Sequence, residues 1–501
     1  MSRPLLVLVF PLVTAPLAAQ AAAPAPVTSA AGTITADDVI RRIRIIADDS
    51  MMGRDTPSPG LEHTAQWVAD EFKRFGLQPG GENGTYFQRY PITRRKLLPD
   101  RSVLSMSAGS ARARTRFDVG ARLVAGHVPP APVAGPAVLV GGDVTADAAS
   151  AAPIRGRVVL FIRNPLSETT DQAIRALYLG GASAVVLFTE LDSAAFVPRL
   201  QAQARERTVI DLGDEIGPVI EARAAPFAGV LRAAGVRPAA VAASRTAVIR
   251  ELPKLAVRLE LKEAIVSSQT APNTIGILEG SDPKLKHEYV LFSAHMDHIG
   301  VTPGQPDSIN NGADDDASGT VGVVELAEAF TQPGARPKRS LVFLTVSGEE
   351  KGLWGSRYFS EHPTVPLKDV VADLNSDMIG RNWADTIVAI GKEHSDLGAT
   401  LNRVNAAHPE LRMTAVDDRW PEERFYFRSD HYNFARKGIP ILFFFNGVHE
   451  DYHRVTDSPD KIDAEKESRV VKLVFYLGQE VANAPERPKW NPESYREIVE
   501  Q

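Results

Sequence analysis

Tyr289-Val-Leu-Phe-Ser-Ala-His-Met-Asp-His298 decides the fold of this sequence, because a short apolar run leads directly into a cluster of metal-ligand side chains. Residues 289–294 have the length and composition of a buried strand. The same pattern recurs downstream: Leu341–Ser347 runs into Gly348-Glu-Glu350, Val370–Leu374 runs into Asn375-Ser-Asp377, and Pro440–Phe445 is followed by His449-Glu-Asp-Tyr-His453.

Short buried strands that alternate with helices predict an α/β fold with a mostly parallel, mixed sheet flanked by helices. This alternation runs from about Asn273 onward, and a final helix is expected over about 464–482. In an open α/β sheet, ligands bind beyond the carboxyl ends of the strands. Strands that each deliver His or carboxylate groups to that edge are therefore expected to converge on one crevice.

Three consecutive carboxylates, Asp314, Asp315 and Asp316, precede a predicted helix at 320–330. Alone they could cap that helix, since its dipole favours negative charge. Each of the other candidate ligands could also have an ordinary structural role by itself. The His-x-Asp pair could be a polar contact, the Glu-Glu pair could be solvated, and the histidine could lie on the surface. Their common position at the strand ends favours a metal site. The sequence has no cysteine, so any zinc must be held by His, Asp and Glu.

Length and composition limit the class of protein. A chain of 501 residues predicts two or three domains. Hydrophobic residues make up 44% and charged residues 24%, as in soluble globular proteins. The net charge of −6 and the absence of a long basic run argue against a nucleic-acid partner.

The first residues have the pattern of a secretory signal peptide. A basic start is followed by the apolar run Pro4–Leu17 and by small residues up to Ala22. We expect a signal peptide over 1–21 and a flexible tether over 22–34, and the alternative is a buried N-terminal helix. The protein is therefore expected to be exported, periplasmic or secreted, without a stable membrane anchor.

The rest of the chain divides into three segments. Helices within 35–96 are assigned to the catalytic domain, which continues from 260 to 501. Between them, 97–259 has its own strand–helix–strand pattern and no cluster of metal-ligand residue types. We interpret this segment as a smaller inserted α/β domain.

At the strand-end residues the sequence resembles the M28 family of zinc aminopeptidases, relatives of bacterial leucyl-type enzymes and of glutamate carboxypeptidase. The matching stretches are Ala294–His298, Gly312–Gly319, Ser347–Glu350, Asn375–Asp377, Ser429–His431 and Tyr452-His453. The resemblance covers roughly 35–79 and 274–482 and implies a zinc-exopeptidase-like phosphorylase/hydrolase fold. The inserted segment resembles, more weakly, a protease-associated domain.

The resemblance implies two zinc ions per chain. By position, His295 and Asp377 would bind one zinc, and Glu350 and His453 would bind the other. Asp315 would bridge the two ions, with its neighbours Asp314 and Asp316 left open as alternatives. Asp297 is expected to fix the imidazole tautomer of His295, whereas His298 and His449 are expected not to bind metal.

The implied activity is hydrolysis of the N-terminal peptide bond of peptide substrates by a water that the two zinc ions share. Glu349, beside a ligand but not bound to metal, would be the general base. Tyr426 would hydrogen-bond the substrate carbonyl, as a tyrosine does in some members of the family.

Three other functions compete with that of an aminopeptidase. Carboxypeptidases of the same family carry a helical dimerisation domain after the catalytic sheet, and none is expected in the few residues after Ala482. A glutaminyl cyclase would keep one zinc, and a non-catalytic binding protein on the same fold would have lost ligands. The complete set of ligand types favours the aminopeptidase.

Overall fold

The computed structural model describes residues 25–163, 170–203, 206–210, 212, 217–304 and 306–500. The chain divides into two compact units. The larger unit comprises Met1–Gln88, Asn273–Ser356 and Pro363–Gln501, and the smaller unit comprises Arg89–Pro272 and Arg357–His362. The predicted signal peptide, 1–21, lies outside the described residues, and the predicted inserted segment, 97–259, lies within the smaller unit.

The helices, numbered along the chain, are α1 Ala25–Ala31, α2 Ala36–Ile46, α3 Pro59–Arg74, α4 Ala146–Ser150, α5 Thr170–Leu179, α6 Ser193–Gln203, α7 Ala228–Ala233, α8 Pro238–Ala242, α9 Gly319–Thr331, α10 Trp354–Glu361, α11 Leu397–Ala407, α12 His431–Ala435, α13 Ala464–Asn483 and α14 Pro492–Ile498.

The strands are β1 Gln78–Pro79, β2 Phe87–Leu97, β3 Val103–Ala108, β4 Ala111–Arg116, β5 Ala121–Ala125, β6 Val133–Gly142, β7 Val158–Arg163, β8 Ala184–Thr189, β9 Arg207–Ile210, β10 Val219–Arg223, β11 Ala247–Glu260, β12 Glu263–Leu278, β13 Tyr289–His295, β14 Ser340–Val346, β15 Val370–Ser376, β16 Thr386–Ile390, β17 Thr414–Val416 and β18 Ile441–Phe445.

The larger unit is built on a sheet with the order β17-β16-β18-β15-β13-β14-β12. The neighbours β14, β13, β15 and β18 run parallel to one another. Antiparallel pairs flank them, formed by β12 with β14 and by β16 with β18. The predicted α/β fold with a mostly parallel, mixed sheet is therefore confirmed.

The hydrophobic core of this unit explains why its strands are apolar along their whole length. Every residue of β14 and β15 is buried. The Phe292 and Phe343 rings stack with centroids 5.5 Å apart, and helix residues Phe330 and Phe475 meet at 4.6 Å. Replacing one such buried ring by alanine typically costs about 3–5 kcal/mol. This packing fixes the strands whose ends carry the polar residues described below.

Two local features differ from what the sequence predicts. The segment predicted as a flexible tether contains helix α1, whose Ala30 and Ala31 are buried in the core together with Ile34. Alanine is the best helix former, and packing stabilises so short a helix. Helix α13 matches the helix predicted over 464–482, but α14 follows it.

The smaller unit has a sheet of its own, in the order β4-β3-β11-β6-β7-β8-β10-β5. Strands β6, β7, β8 and β10 are parallel. The predicted strand–helix–strand pattern is present as β7, α5 and β8. Two hydrophobic clusters supply this unit with its own core.

Among the described residues, no helix has both the length and the hydrophobicity needed to cross a membrane.

Candidate metal centre

Polar side chains gather at the carboxyl edge of the larger unit's sheet. His295 is the last residue of β13, and Asp377 directly follows β15. Glu349 and Glu350 come shortly after β14, and His453 lies in the loop after β18. Because these four strands are adjacent and parallel, their ends meet at one place, as the sequence predicts.

The first donor group consists of His295, Asp315 and Asp377. The Nε2 atom of His295 lies 3.4 Å from Oδ1 of Asp315 and 3.6 Å from Oδ1 of Asp377. All three residues are buried. Asp377 is held in place by the Ser429 hydroxyl, which donates to its Oδ2 at 2.8 Å.

The second donor group consists of Asp315, Glu350, His453 and His298. The Nε2 atom of His453 lies 3.2 Å from Oδ2 of Asp315 and 3.1 Å from Oε2 of Glu350. His298, which the sequence analysis treats as a non-ligand, lies with its Nδ1 atom 2.9 Å from Oε1 of Glu350 and 3.7 Å from Oδ2 of Asp315. The structure thus brings an additional histidine to this group.

Asp315 belongs to both groups, and its two neighbours do not share that position. Asp316 accepts hydrogen bonds from the backbone N–H groups of His295, Gly319 and Met378, and thereby ties three elements together. Asp314 accepts a hydrogen bond from the Gly380 N–H at 2.7 Å. Of the three consecutive aspartates, Asp315 is thus the one placed between His295 and His453.

Buried charged groups at this edge of the sheet shift one another's pKa values. Burial lowers the pKa of His295, but the Asp316 and Asp377 carboxylates outweigh burial and raise that pKa well above its usual range. Burial raises the pKa of Asp315, but His295 and His453 outweigh burial and lower that pKa well below its usual range. A crowd of buried carboxylates creates a negative potential that favours a bound cation.

The donor atoms suit a metal such as zinc. Imidazole nitrogens and carboxylate oxygens are ordinary zinc ligands, and no cysteine is needed. The Nε2 atom of His298 is buried and makes no hydrogen bond, and the contact of Asp315 Oδ2 with His453 at 3.2 Å lacks hydrogen-bond geometry. Buried polar atoms without partners are costly in a folded protein, and coordination by a cation would satisfy the carboxylate.

Asp297 contacts both His295 and the segment that carries Glu349. Its backbone carbonyl lies 3.2 Å from Nδ1 of His295, closer than its carboxylate at 3.7 Å. That carboxylate accepts hydrogen bonds from the Glu349 N–H at 3.2 Å and from the Thr56 hydroxyl at 2.9 Å. Asp297 therefore orients the His295 ring mainly through its main chain and holds the Glu349 backbone through its side chain.

Glu349 lies at the same edge but in neither donor group. Burial raises its pKa well above the usual range, and the Asp430, Asp377 and Glu350 carboxylates add to that increase. A buried carboxyl group whose pKa is shifted in this way is a candidate for proton transfer.

A narrow cleft of about 40 Å³ lies beside the donor groups. Its polar wall includes His295, Asp315, Glu349 and Asp377, and its apolar wall consists of Met378, Phe425, Phe443, Phe445 and Val448. Tyr452 also lines the cleft, and its ring stacks on His453 at 3.9 Å between centroids. Burial raises the pKa of Tyr452, which keeps its hydroxyl protonated and able to donate.

Tyr426 does not line this cleft. Its ring packs against His394, with centroids 4.5 Å apart, and its hydroxyl is buried without a hydrogen bond. The loop residues around it fold so that Phe425 faces the cleft instead. The sequence predicts the carbonyl contact for Tyr426, whereas the tyrosine at the cleft is Tyr452, adjacent to His453 in a stretch that resembles the M28 family.

Sequence reasoning also missed two residues that support the centre. Asp457 accepts hydrogen bonds from the N–H groups of Asp314 and Asp315 at 3.1 Å. Arg54 is fully buried and donates to the carbonyl groups of Ile46, Met296, Asn311 and Gly312. Only its position, four residues after His453, could have indicated Asp457 from the sequence. Arg54 lies in a Gly- and Pro-rich loop, and no sequence pattern indicates its role.

Part of this chain is similar in sequence to known peptidases. The sequence model of peptidase family M28 matches residues 273–478. A probable leucine aminopeptidase of Arthroderma otae is 29% identical over 231 residues, which cover 44% of this chain and 61% of that protein. A probable zinc metalloprotease of Pyricularia oryzae is 27% identical over 258 residues, which cover 42% of this chain and 50% of that protein. The chain thus spans about half to three fifths of these relatives.

Among solved structures, an aminopeptidase from Aneurinibacillus sp. strain AM-1 aligns with 92% of this chain and 97% of its own, at 18% sequence identity and a TM-score of 0.49.

Proposed function

We propose that this chain, whose residues 273–478 form a peptidase family M28 domain, is a two-zinc aminopeptidase that hydrolyses the N-terminal peptide bond of peptides. The observation that carries the proposal is the position of Asp315, whose two carboxylate oxygens lie at 3.4 Å from His295 and 3.2 Å from His453. The similarity to a probable leucine aminopeptidase and a probable zinc metalloprotease supports the same function.

In this proposal His295, Asp377 and Asp315 would hold one zinc, and Glu350, His453 and Asp315 would hold the other. Such a pair of ions would supply a water with a lowered pKa and a positive charge for the developing oxyanion of the substrate. The remaining steps belong to side chains of the protein.

Glu349 would take the proton from the attacking water and return it to the leaving amine. Its backbone is fixed by the Asp297 carboxylate, so the side chain is held at the cleft. The Tyr452 hydroxyl would donate a hydrogen bond to the substrate carbonyl, the role that the sequence had suggested for Tyr426. The apolar wall of Phe425, Phe443 and Phe445 would receive an apolar part of the substrate.

Two further parts of the proposal concern the rest of the chain. The N-terminal sequence supports export to the periplasm or the medium. The smaller unit, by its own core and strand pattern, supports an inserted protease-associated domain that influences access of peptides. No group of potential metal ligands is found among the residues that the structure describes in this unit.

The activity is tested with purified protein at saturating zinc and a panel of aminoacyl-anilides, N-blocked peptides and peptides with a free C-terminal residue. An aminopeptidase cleaves the first class and leaves N-blocked peptides intact. Release of C-terminal residues would instead favour a carboxypeptidase. Cyclisation of N-terminal glutamine would favour a glutaminyl cyclase, and binding without turnover would favour a non-catalytic protein.

A further inference from the structure

Arg428 brings a positive charge to the cleft of the candidate metal centre. It lines the cleft together with the donor residues His295, Asp315 and Asp377. The next residue, Ser429, donates to Oδ2 of Asp377, which ties the Arg428 backbone to the first donor group. Arg428 and the first donor group therefore face the same cleft.

The Arg428 guanidinium is held in place but largely available for a ligand. It lies over the Phe425 ring at 4.6 Å, and its side chain is about half exposed. Its Nη1 atom lies 3.3 Å from Oε2 of Glu423, whose own side chain is more than half exposed. Exposed ion pairs of this kind contribute little stability, so a ligand can replace Glu423 at small cost. The described residues offer no hydrogen-bond acceptor to Nε or Nη2.

The chemistry of the other cleft residues indicates what Arg428 can bind. Met378, Phe443, Phe445 and Val448 offer only apolar contacts, and the donor carboxylates repel anions unless metals neutralise them. The planar guanidinium fork matches a carboxylate in geometry and charge better than any other group in a peptide.

We propose that Arg428 forms a subsite for a substrate carboxylate in this cleft. The carboxylate has two possible sources: the side chain of an acidic N-terminal residue, or the C-terminus of a dipeptide whose second residue ends near the cleft. The inference rests on the proposed function for the identity of the substrate as a peptide, and it adds a charge preference to that function.

The test measures binding, so that it does not depend on turnover. In a Glu349→Gln background with zinc bound, calorimetry compares Leu-Gly with Leu-Gly-amide, and glutamic acid α-amide with glutamine α-amide. We expect the carboxylate member of at least one pair to bind about tenfold more tightly, the usual value of one charge-assisted contact. Arg428→Gln should abolish that difference and leave the neutral member within twofold.

Two control variants separate this contact from general effects of charge. Arg424 also lies over an aromatic ring, that of Phe427 at 4.7 Å, but it does not line the cleft. Arg424→Gln should leave all four affinities unchanged. Glu423→Gln should strengthen binding of the carboxylate member, because it removes the competing acceptor.

The outcomes decide between the sources and can overturn the inference. A response of the Leu-Gly pair alone assigns the subsite to a C-terminal carboxylate, and a response of the glutamate pair alone assigns it to an acidic side chain. Equal affinities within both pairs, or equal weakening of both members by Arg428→Gln, would overturn the subsite. If the pairs differ as expected but wild-type protein cleaves no peptide, the proposed function fails and the subsite stands.

Discussion

The two donor groups of the candidate metal centre differ in how firmly the protein holds them. In the first group, the His295 side chain is 1% exposed, its backbone N–H donates to Asp316, and its ring faces the Asp297 carbonyl. In the second group, the His453 side chain is 37% exposed and its backbone is in the left-handed region, at φ 57°. Preorganised ligands bind metal more tightly. The first group should therefore hold its zinc more strongly than the second.

The loop that carries His453 is anchored at both ends to the aspartates of the centre. His449 lies with its Nε2 atom 3.2 Å from Oδ2 of Asp314, and Asp457 accepts the N–H groups of Asp314 and Asp315. The loop that carries His453 thus also helps to position Asp315. The position of the second donor group depends on a loop, whereas the first donor group lies at the ends of two neighbouring strands.

The largest expected effect comes from a residue in neither group. Glu349→Gln removes the base and no ligand, so kcat should fall by roughly 10²–10⁴ while both zinc ions stay bound. Its control is Glu350→Gln, which should weaken the zinc of the second group and lose activity that excess zinc partly restores. Steady-state kinetics and metal analysis of the same samples check both variants. Zinc loss in the Glu349 variant, with none in the Glu350 variant, would reverse the two roles.

The next effect compares the groups directly. His295→Ala should weaken the first zinc by about 100-fold or more, since even residues that only support a ligand cost 10–100-fold when changed. His453→Ala should weaken the second zinc less, because His298 remains within 2.9 Å of Glu350. The double variant His298→Ala/His453→Ala should lose the second zinc. Competition with a zinc chelator measures the zinc affinity of each donor group. Equal losses of affinity in the two single variants would contradict the predicted difference between the groups.

A smaller effect on zinc affinity is expected from a change of Asp457, which anchors the loop that carries His453. Asp457→Asn replaces a buried carboxylate that accepts two backbone N–H groups, so zinc affinity of the second group should fall by about tenfold. Asp460 is exposed in the same loop and hydrogen-bonds to Ser458. Asp460→Asn should therefore leave zinc affinity unchanged. An equal fall in both variants would show that charge, and not anchoring, is responsible.

The smallest effect is expected in the smaller unit. Arg112→Gln and Arg114→Gln change exposed side chains of β4, far along the sequence from every donor residue. Zinc content should stay the same, and any change should appear in KM or in substrate preference. Metal loss in these variants would contradict the division of roles between the units.

The sequence predicts the fold and the strand ends well because both depend on local patterns. Runs such as 341–346 are apolar along their length, and a ligand at each carboxyl end follows from the parallel sheet. The sequence does not predict which side chain of residues 417–428 faces the cleft, because Phe425 packs against Trp420 in a contact that no local pattern encodes. Arg54 was missed, and His298 was expected not to bind metal, for a related reason: their contacts join segments that are distant in sequence.

The number of zinc ions per chain tests the central claim most directly. Purified protein, dialysed against saturating zinc and then freed of unbound metal, is analysed for zinc and protein in the same sample. The shared position of Asp315 between two donor groups predicts two zinc ions per chain, with the second lost first to increasing chelator. One zinc or none at saturation would contradict the two-metal centre.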